Sequence, residues 1–465
     1  MSFAFYLIIC VFVFGYLCIA LEYPLKINKA ATALLMCAVL WTIFAVSGTG
    51  AMSTAFANAI SGDFRDFLSD NITHHLGETG ETVFFLLGAM TIVEVVDRWG
   101  GFRVITDHIK ATSKVELLWI LGVLAFCLSA ILDNLTTTIM MCTLLNKIIP
   151  VRHDRWFFAS MIVIAANAGG AWTPIGDVTT IMLWIAGKVS ALNIMQMTLL
   201  PSIISILVPF AILSYTLRGG HIEAPSNDEV DNSPASRVPA RQRMIVLCLG
   251  VGVLICVPIF KSITHLPPYI GILGALGIVW MVTELMRPKD PAEENYHSLK
   301  LSHILARVDL SSIIFFLGIL MAVGVLQVCG HLSMLANSLD GIALAEPYKY
   351  FTIDTIIGVL SSIVDNVPLV AGTMGMYDFP MDHYFWEMLA YCAGTGGSIL
   401  IIGSAAGVAA MGIEKIDFIW YFKHITWIAF IGYLAGALCY IGQYMVIHYI
   451  INPRQSAGIL LMLAI

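Results

Sequence analysis

The chain has 465 residues, 58% of them hydrophobic and only 12% charged, with a formal net charge of -7. Soluble domains carry roughly twice that share of charge, and no basic run offers itself to nucleic acid, so a soluble enzyme or a nucleic-acid-binding module is excluded. Apolar stretches of about 16 to 22 residues recur from end to end, each able to cross roughly 30 Å of hydrocarbon as a helix; the chain reads as an all-α polytopic protein whose first partner is the lipid bilayer.

In chain order, residues 1–80 supply scaffold helices at 4–22 and 29–47. The first lacks a basic leader and a cleavage site, so it is expected to be retained. His74 and His75 read as part of a solvated loop, with pH sensing as the alternative. A first repeat core, 81–216, opens with a crossing at 81–97 carrying Glu94, which either relays protons or snorkels to the cytoplasmic edge. The amphipathic "FRVITDHIK" (102–110) then suits the membrane interface.

Residues 115–149 are too short for two comfortable spans and are interrupted by "LDNLTTT". They are expected to form a re-entrant hairpin whose tip stops inside the membrane, tolerated only where the tip lines a protein-enclosed cavity. The crossing at 156–187 contains "ANAGGAWTPIGDVTT", in which Gly169, Gly170, Pro174 and Gly176 interrupt the helix. A closing helix at 191–216 and a Pro- and Ser-rich cytoplasmic linker at 217–242 follow.

After scaffold helices at 243–260 and 267–285, within 243–308, the pattern returns in a second core, 309–449. It has a crossing at 309–327, a hairpin at 349–377 broken by "IVDNVPL", a Gly-broken crossing at 384–413 and a closing helix at 418–449, before a tail at 450–465. Gly88 aligns with Gly318, Gly100 with Gly330, Asp133-Asn134 with Asp365-Asn366, Gly169-Gly170 with Gly396-Gly397, and Gly176 with Gly403. An odd number of crossings separates the copies, which makes them inverted-topology repeats of the kind secondary transporters use. With the N-terminus outside, 19 of the 24 Lys and Arg fall in inside loops, leaving Arg65, Lys188, Lys261, Lys349 and Arg454 outside, as the positive-inside rule requires.

A broken helix frees backbone carbonyls near the midplane, and a hairpin tip set against it completes a cage for a small ion. In the first repeat the cage residues are Asp133, Asn134, Thr136, Thr137, Asn167, Thr173, Asp177, Thr179 and Thr180; in the second they are Asp365, Asn366, Ser398 and Ser404. Carboxylate, amide, hydroxyl and carbonyl oxygens are hard ligands suited to an alkali cation or a proton. An acid at bilayer depth is functional by default, whereas Thr138 and Thr180 read equally as bonds to the preceding turn, and Asn134 and Asn366 as tip caps. The second repeat has Gly394 and Ser404 where the first has Asn167 and Asp177, so the acidic charge sits mostly on the first. Carboxylates at the crossing point favour a cation over an anion. The ten Cys form no CxxC pair and nearly all lie in apolar segments, against disulfide or zinc frameworks.

At "LDNLTTTIMM", "ANAGGAWTPIGDVTT", "VDNVPLVAG" and "GTGGSILIIGSAAGVAAMG" the chain resembles the NhaD-type sodium/proton antiporters of the ion transporter superfamily, over about 80–216 and 310–449. The resemblance implies two inverted repeats with re-entrant hairpins, a homodimer with separate scaffold and transport domains, and Na⁺ or Li⁺ export in exchange for protons across a bacterial inner membrane. It assigns roles to Asp133, Asn134, Asn167, Asp177, Thr179 and Thr180, and places Na⁺ at Asp133, Asn134, Asp177 and Asp365. Relatives in the superfamily that carry carboxylates use Ser-Asn-Thr tips, while this chain has Asp-Asn at both. No cofactor is expected beyond the transported Na⁺ or Li⁺ and H⁺. The expected mechanism is competition of Na⁺ and protons for shared, desolvated carboxylates under alternating access. The rivals are an anion or arsenite transporter of the same superfamily, a channel, and an intramembrane enzyme, for which no HExxH or GxSxG motif is present.

Overall fold

The computed structural model describes residues 2–59, 63–106, 113–149, 151–220, 238–286 and 299–451. Residues 107–110 of the interfacial stretch, most of the linker and residues 452–465 of the tail lie outside the described residues. The principal helices begin with α1 (Phe3–Ala20), α2 (Lys29–Ser47), α3 (Phe64–Arg98), α4 (Lys114–Leu132), α5 (Asn134–Ile148) and α6 (Arg152–Gly170). They continue with α7 (Val178–Ile185), α8 (Ala191–Thr216), α9 (Ala240–Thr264), α10 (Pro268–Met286) and α11 (Leu310–Val328). The last are α12 (Tyr348–Leu360), α13 (Asn366–Met376), α14 (Tyr384–Gly396), α15 (Ala405–Glu414) and α16 (Thr426–Met445); shorter helices are left unlabelled. Among the described residues nine helices are long and apolar enough to cross a membrane, and the protein is an all-α, multi-pass membrane protein.

The chain divides into two compact units, the first comprising Met1–Ala111, Ala224–Ile342 and Val367–Asp378, the second Thr112–Glu223, Ala343–Asn366 and Phe379–Ile465. The first unit packs α2 against α11 and α3 against α10 and α11. Helices α3 and α11, grouped with the repeat cores on sequence, thus belong by packing with the scaffold helices. Close approach requires the small residues: a Cβ on Gly318 would stand 2.8 Å from the Ala33 backbone. Gly100 and Gly330, aligned in sequence, both take the left-handed conformation (φ 74° and 82°) just beyond the ends of α3 and α11, where a Cβ is disfavoured.

Helix α3 corrects the sequence reading of 64–80. It runs for 35 residues, not from 81, and Asp63 caps it by accepting from Arg65 N at 3.1 Å. Polar letters hid a face that stays in phase through His75, Thr79 and Thr82, all buried, into Phe85. His75 is therefore a packed residue of this unit, its ring so close to Gly324 that a Cβ there would lie 2.9 Å from it. His74 points outward and faces Glu78 at 3.3 Å.

The second unit holds both hairpins, except that α13 beyond Asn366 groups with the first unit. Arms α4 and α5 start and end at one place: Lys114 Nζ, at the start of α4, is 2.7 Å from Asp154, just after α5. The same end receives the end of α15, where Glu414 accepts Arg155 Nε at 2.8 Å and its carbonyl accepts Trp156 Nε1 at 3.0 Å. A buried carboxylate needs such a partner. At the opposite end the start of α12 meets the exit of its hairpin, with the Tyr350 and Phe379 rings 5.0 Å apart. Asp382, before α14, accepts Ser190 N at 2.6 Å and donates its own N–H to Lys188 O, beyond α7. The broken segments α6–α7 and α14–α15 run antiparallel between these ends, and the hairpins enter from opposite ends.

Contacts that seat each hairpin recur at equivalent residues. Ser129 Oγ donates to Ala166 O at 2.6 Å, and Ser361 Oγ to Ala393 O at 2.9 Å. A Cβ on Gly176 would lie 2.7 Å from Ser129 O, and one on Gly403 2.5 Å from Ser362 O, one position further along its arm. Each break is thus pressed directly on the backbone of a hairpin arm, which explains glycine there.

Candidate ion-binding site

At the first tip, Asp133 separates α4 from α5 in a conformation (φ 89°, ψ 157°) that is almost reserved for glycine and costs about 1–3 kcal/mol for other residues. Its half-buried carboxylate caps α5, accepting Thr136 N at 2.7 Å and Thr136 Oγ1 at 2.9 Å. The strain turns the chain sharply enough to bring the next residue into the centre of the unit. There Asn134 Nδ2 donates to Asn167 Oδ1 at 3.0 Å and to Asp177 Oδ2 at 2.9 Å.

Asn167, in the last turn of α6, turns its Nδ2 to Ser398 Oγ at 2.8 Å and Ser404 Oγ at 2.9 Å. Asp177 and Ser404, aligned in the two repeats, do the same local work at the starts of α7 and α15. Asp177 Oδ1 accepts Thr179 N at 2.9 Å and Thr179 Oγ1 at 3.0 Å, and Ser404 Oγ accepts Gly407 N at 3.1 Å. Asn366, from the second tip, donates to both Asp177 oxygens at 3.4 Å. Asp177, Asn134, Asn167, Asn366, Ser398 and Ser404 are all buried and form one continuous network.

Every donor to Asp177 in this network is neutral. Among the described residues no Lys, Arg or His forms an ion pair with Asp133 or Asp177, in contrast to Glu414. A buried carboxylate so arranged is oriented but not neutralised, and its charge is answered by a cation or a proton. Two helix starts, at Asp177 and Ser404, also meet there, and at each the capping side chain takes one of the free N–H groups, that of Thr179 and that of Gly407.

The structure sorts the remaining sequence candidates. Thr179 and Thr180 hold the Asp177 turn, Thr180 Oγ1 donating to Asp177 O at 2.8 Å. Thr173 Oγ1 donates to Ala130 O at 2.6 Å and pins the break to the first hairpin. Thr137 and Thr138 have buried hydroxyls with no hydrogen-bond partner among the described residues, so Thr138 does not bond the preceding turn. Asp365 stands half-buried beside Asn366 at the second tip. Glu94 lies in the first unit and pairs with Arg98 at 2.9 Å.

Three further buried acids of the second unit, Asp354, Glu387 and Glu414, were not singled out from sequence. Asp354 and Glu387 are lone acidic letters in apolar runs, and Glu414 stands beside Lys415 at the end of one, where it reads as a surface charge.

Over residues 16–388 the chain matches the family described as Citrate transporter. It is 45% identical to sodium/proton antiporter 1 of Arabidopsis thaliana over 92% of this chain and 70% of that protein. Sodium/proton antiporter 2 of the same plant is 43% identical, over 92% of this chain and 97% of that one. The Na(+)/H(+) antiporter NhaD of Alkalimonas amylolytica is 30% identical over 92% and 88%.

Proposed function

This chain belongs to the citrate transporter family and, within the ion transporter superfamily, to the NhaD-type sodium/proton antiporters; from that premise we propose that it exchanges Na⁺ or Li⁺ for H⁺ across a membrane at the Asp177 site. The observation that carries the reading is the Asp177 carboxylate, buried and held from both hairpins by neutral donors alone. A desolvated cation is strongly favoured at such a group, and a proton neutralises it equally well, so the two exclude each other. Asn134, Asn366 and Asn167 then turn their amide oxygens or their donors toward whichever species is bound. Asp133 and Asp365, one residue outside the inner network at each tip, add negative charge to the approach.

The family's description names citrate, but an anionic substrate would face Asp177 with no cationic residue bonded to it. Inverted repeats with re-entrant tips account for access from both sides: hairpins that enter from opposite ends of the unit leave one route to the site from each. A homodimer is the proposed assembly, tested by the mass of the purified chain in detergent. The relatives named above come from a plant and a bacterium, and the membrane is proposed to be a bacterial inner membrane.

Everted vesicles carrying the full chain and loaded with a pH-quenched dye test the function. Addition of Na⁺ or Li⁺ should dequench the dye, and citrate should not. Dequenching by citrate alone would overturn the reading.

A further inference from the structure

Asp354 lies in the first arm of the second hairpin, seven residues before Ser361 at the turn. It shares a face of α12 with Phe351 and Gly358, three residues before and four after. That face packs on α14, so closely at Gly358 that a Cβ there would stand 2.6 Å from Cys392 O. Asp354 is 0% exposed, and among the described residues neither of its carboxylate oxygens has a hydrogen-bond partner. An ionised carboxylate without a donor in such a place is strongly disfavoured against its neutral, protonated form.

The surroundings do not suit a metal cation. The titratable groups that face this region are Tyr384, Glu387, Tyr391 and Cys392 from α14, and Tyr433, Tyr440 and Tyr444 from α16. The nearest hydroxyls are committed elsewhere: Tyr433 donates to Thr355 O at 2.7 Å, Tyr391 to Tyr433 O at 2.8 Å, and Tyr440 to Glu387 Oε2 at 2.7 Å. Glu387 also accepts Asn193 Nδ2. An alkali ion needs several oxygens, whereas a proton needs one.

We propose that Asp354 is a second proton-binding site, separate from the Asp177 cage, that loads while the cage is empty and releases as the cation binds. The step is a simple protonation: one O–H bond forms on the Asp354 carboxylate and later breaks, returning the proton to water. Coupling to the cage is electrostatic. Seven residues of helix place Asp354 about 10 Å from Ser361 at the turn; two unit charges that far apart at an effective dielectric of about 20 alter cation affinity roughly tenfold, which is the upper bound on the coupling. This inference rests on the exchange reading above.

The test compares wild type, Asp354→Asn and Asp354→Glu, each purified as the full chain into vesicles. Na⁺-driven proton flux and radiolabelled Na⁺/Na⁺ self-exchange, which moves no net protons, are measured between about pH 6 and about pH 9. Asp354→Asn should keep self-exchange, and its pH-dependent change in Na⁺ half-saturation should shrink by up to roughly tenfold; Asp354→Glu should retain the wild-type change. An Asp354→Asn protein with the wild-type pH response would overturn the proposal, as would loss of self-exchange in both variants, which marks a packing residue. Failure of the exchange reading looks different, since wild-type vesicles would then move no protons on Na⁺ addition.

Discussion

Asn134 and Asn366 stand at equivalent positions on hairpins that enter the second unit from opposite ends, and both donate to the carboxylate of Asp177. The acceptor has no acidic counterpart in the other repeat, where Ser404 fills the same place. A pseudosymmetric frame thus surrounds an asymmetric charge. A single carboxylate seen by both tips can sense the movement of either one.

Asp177→Asn isolates that charge. Asn caps a helix as well as Asp does, so the Thr179 bonds and the start of α7 should survive. Exchange should fall at least about a hundredfold, as expected when a group that answers the ion's charge is removed, while the amount of protein in the membrane stays normal. Near-normal Na⁺-dependent proton flux would remove Asp177 from the site.

The inner network was legible in the sequence because its residues stand where hydrocarbon should be. Asp133-Asn134 and Asn167 interrupt apolar runs, and Gly169, Gly176 and Gly403 announce breaks that prove to be backbone-to-backbone contacts. The start of α3 was not legible, because His75 and Thr79 bury polar atoms on a continuous face and lower the hydropathy without disturbing the period. Asp354 and Glu387 were not legible for the opposite reason: the partners of Glu387, Asn193 and Tyr440, lie far off in sequence, and burial alone marks Asp354.

Asp133 invites a substitution that separates strain from charge. Asp133→Gly relieves a backbone conformation costing about 1–3 kcal/mol and loses only a few tenths of a kcal/mol as a cap. Its thermal stability in detergent should match or exceed that of the wild type, while Na⁺/H⁺ exchange is lost with the carboxylate. A stable Gly variant that still transports would make Asp133 a capping residue only.

The proposed sharing of carboxylates predicts a pH dependence. If protons occupy the groups that hold Na⁺ as pH falls, the Na⁺ half-saturation constant should rise, approaching tenfold per pH unit for each competing proton below the site's own titration range. Above that range the groups are ionised and the constant should level off. Isotope-uptake titrations at several pH values measure it, and a flat constant between about pH 6 and about pH 9 would count against direct competition.

The arrangement of the hairpins is open to a chemical test from the two sides of the membrane. Val151 lies beside the base of the first hairpin and is 54% exposed, and Met381 lies beside the base of the second and is 59% exposed. Neither is a charged group, so Val151→Cys and Met381→Cys leave the ion pairs of Lys114, Arg155 and Glu414 intact. The Lys and Arg bias places the first base on the cytoplasmic side, and the antiparallel course of α6–α7 and α14–α15 places the second on the other. In a background without the ten native Cys, an impermeant thiol reagent should label the Val151→Cys protein only from the cytoplasm and the Met381→Cys protein only from outside. Labelling of both from one side would mean that the hairpins share an entrance. The Asp177 carboxylate would then be reached by one route alone, and alternating access at that site would fail with the geometry.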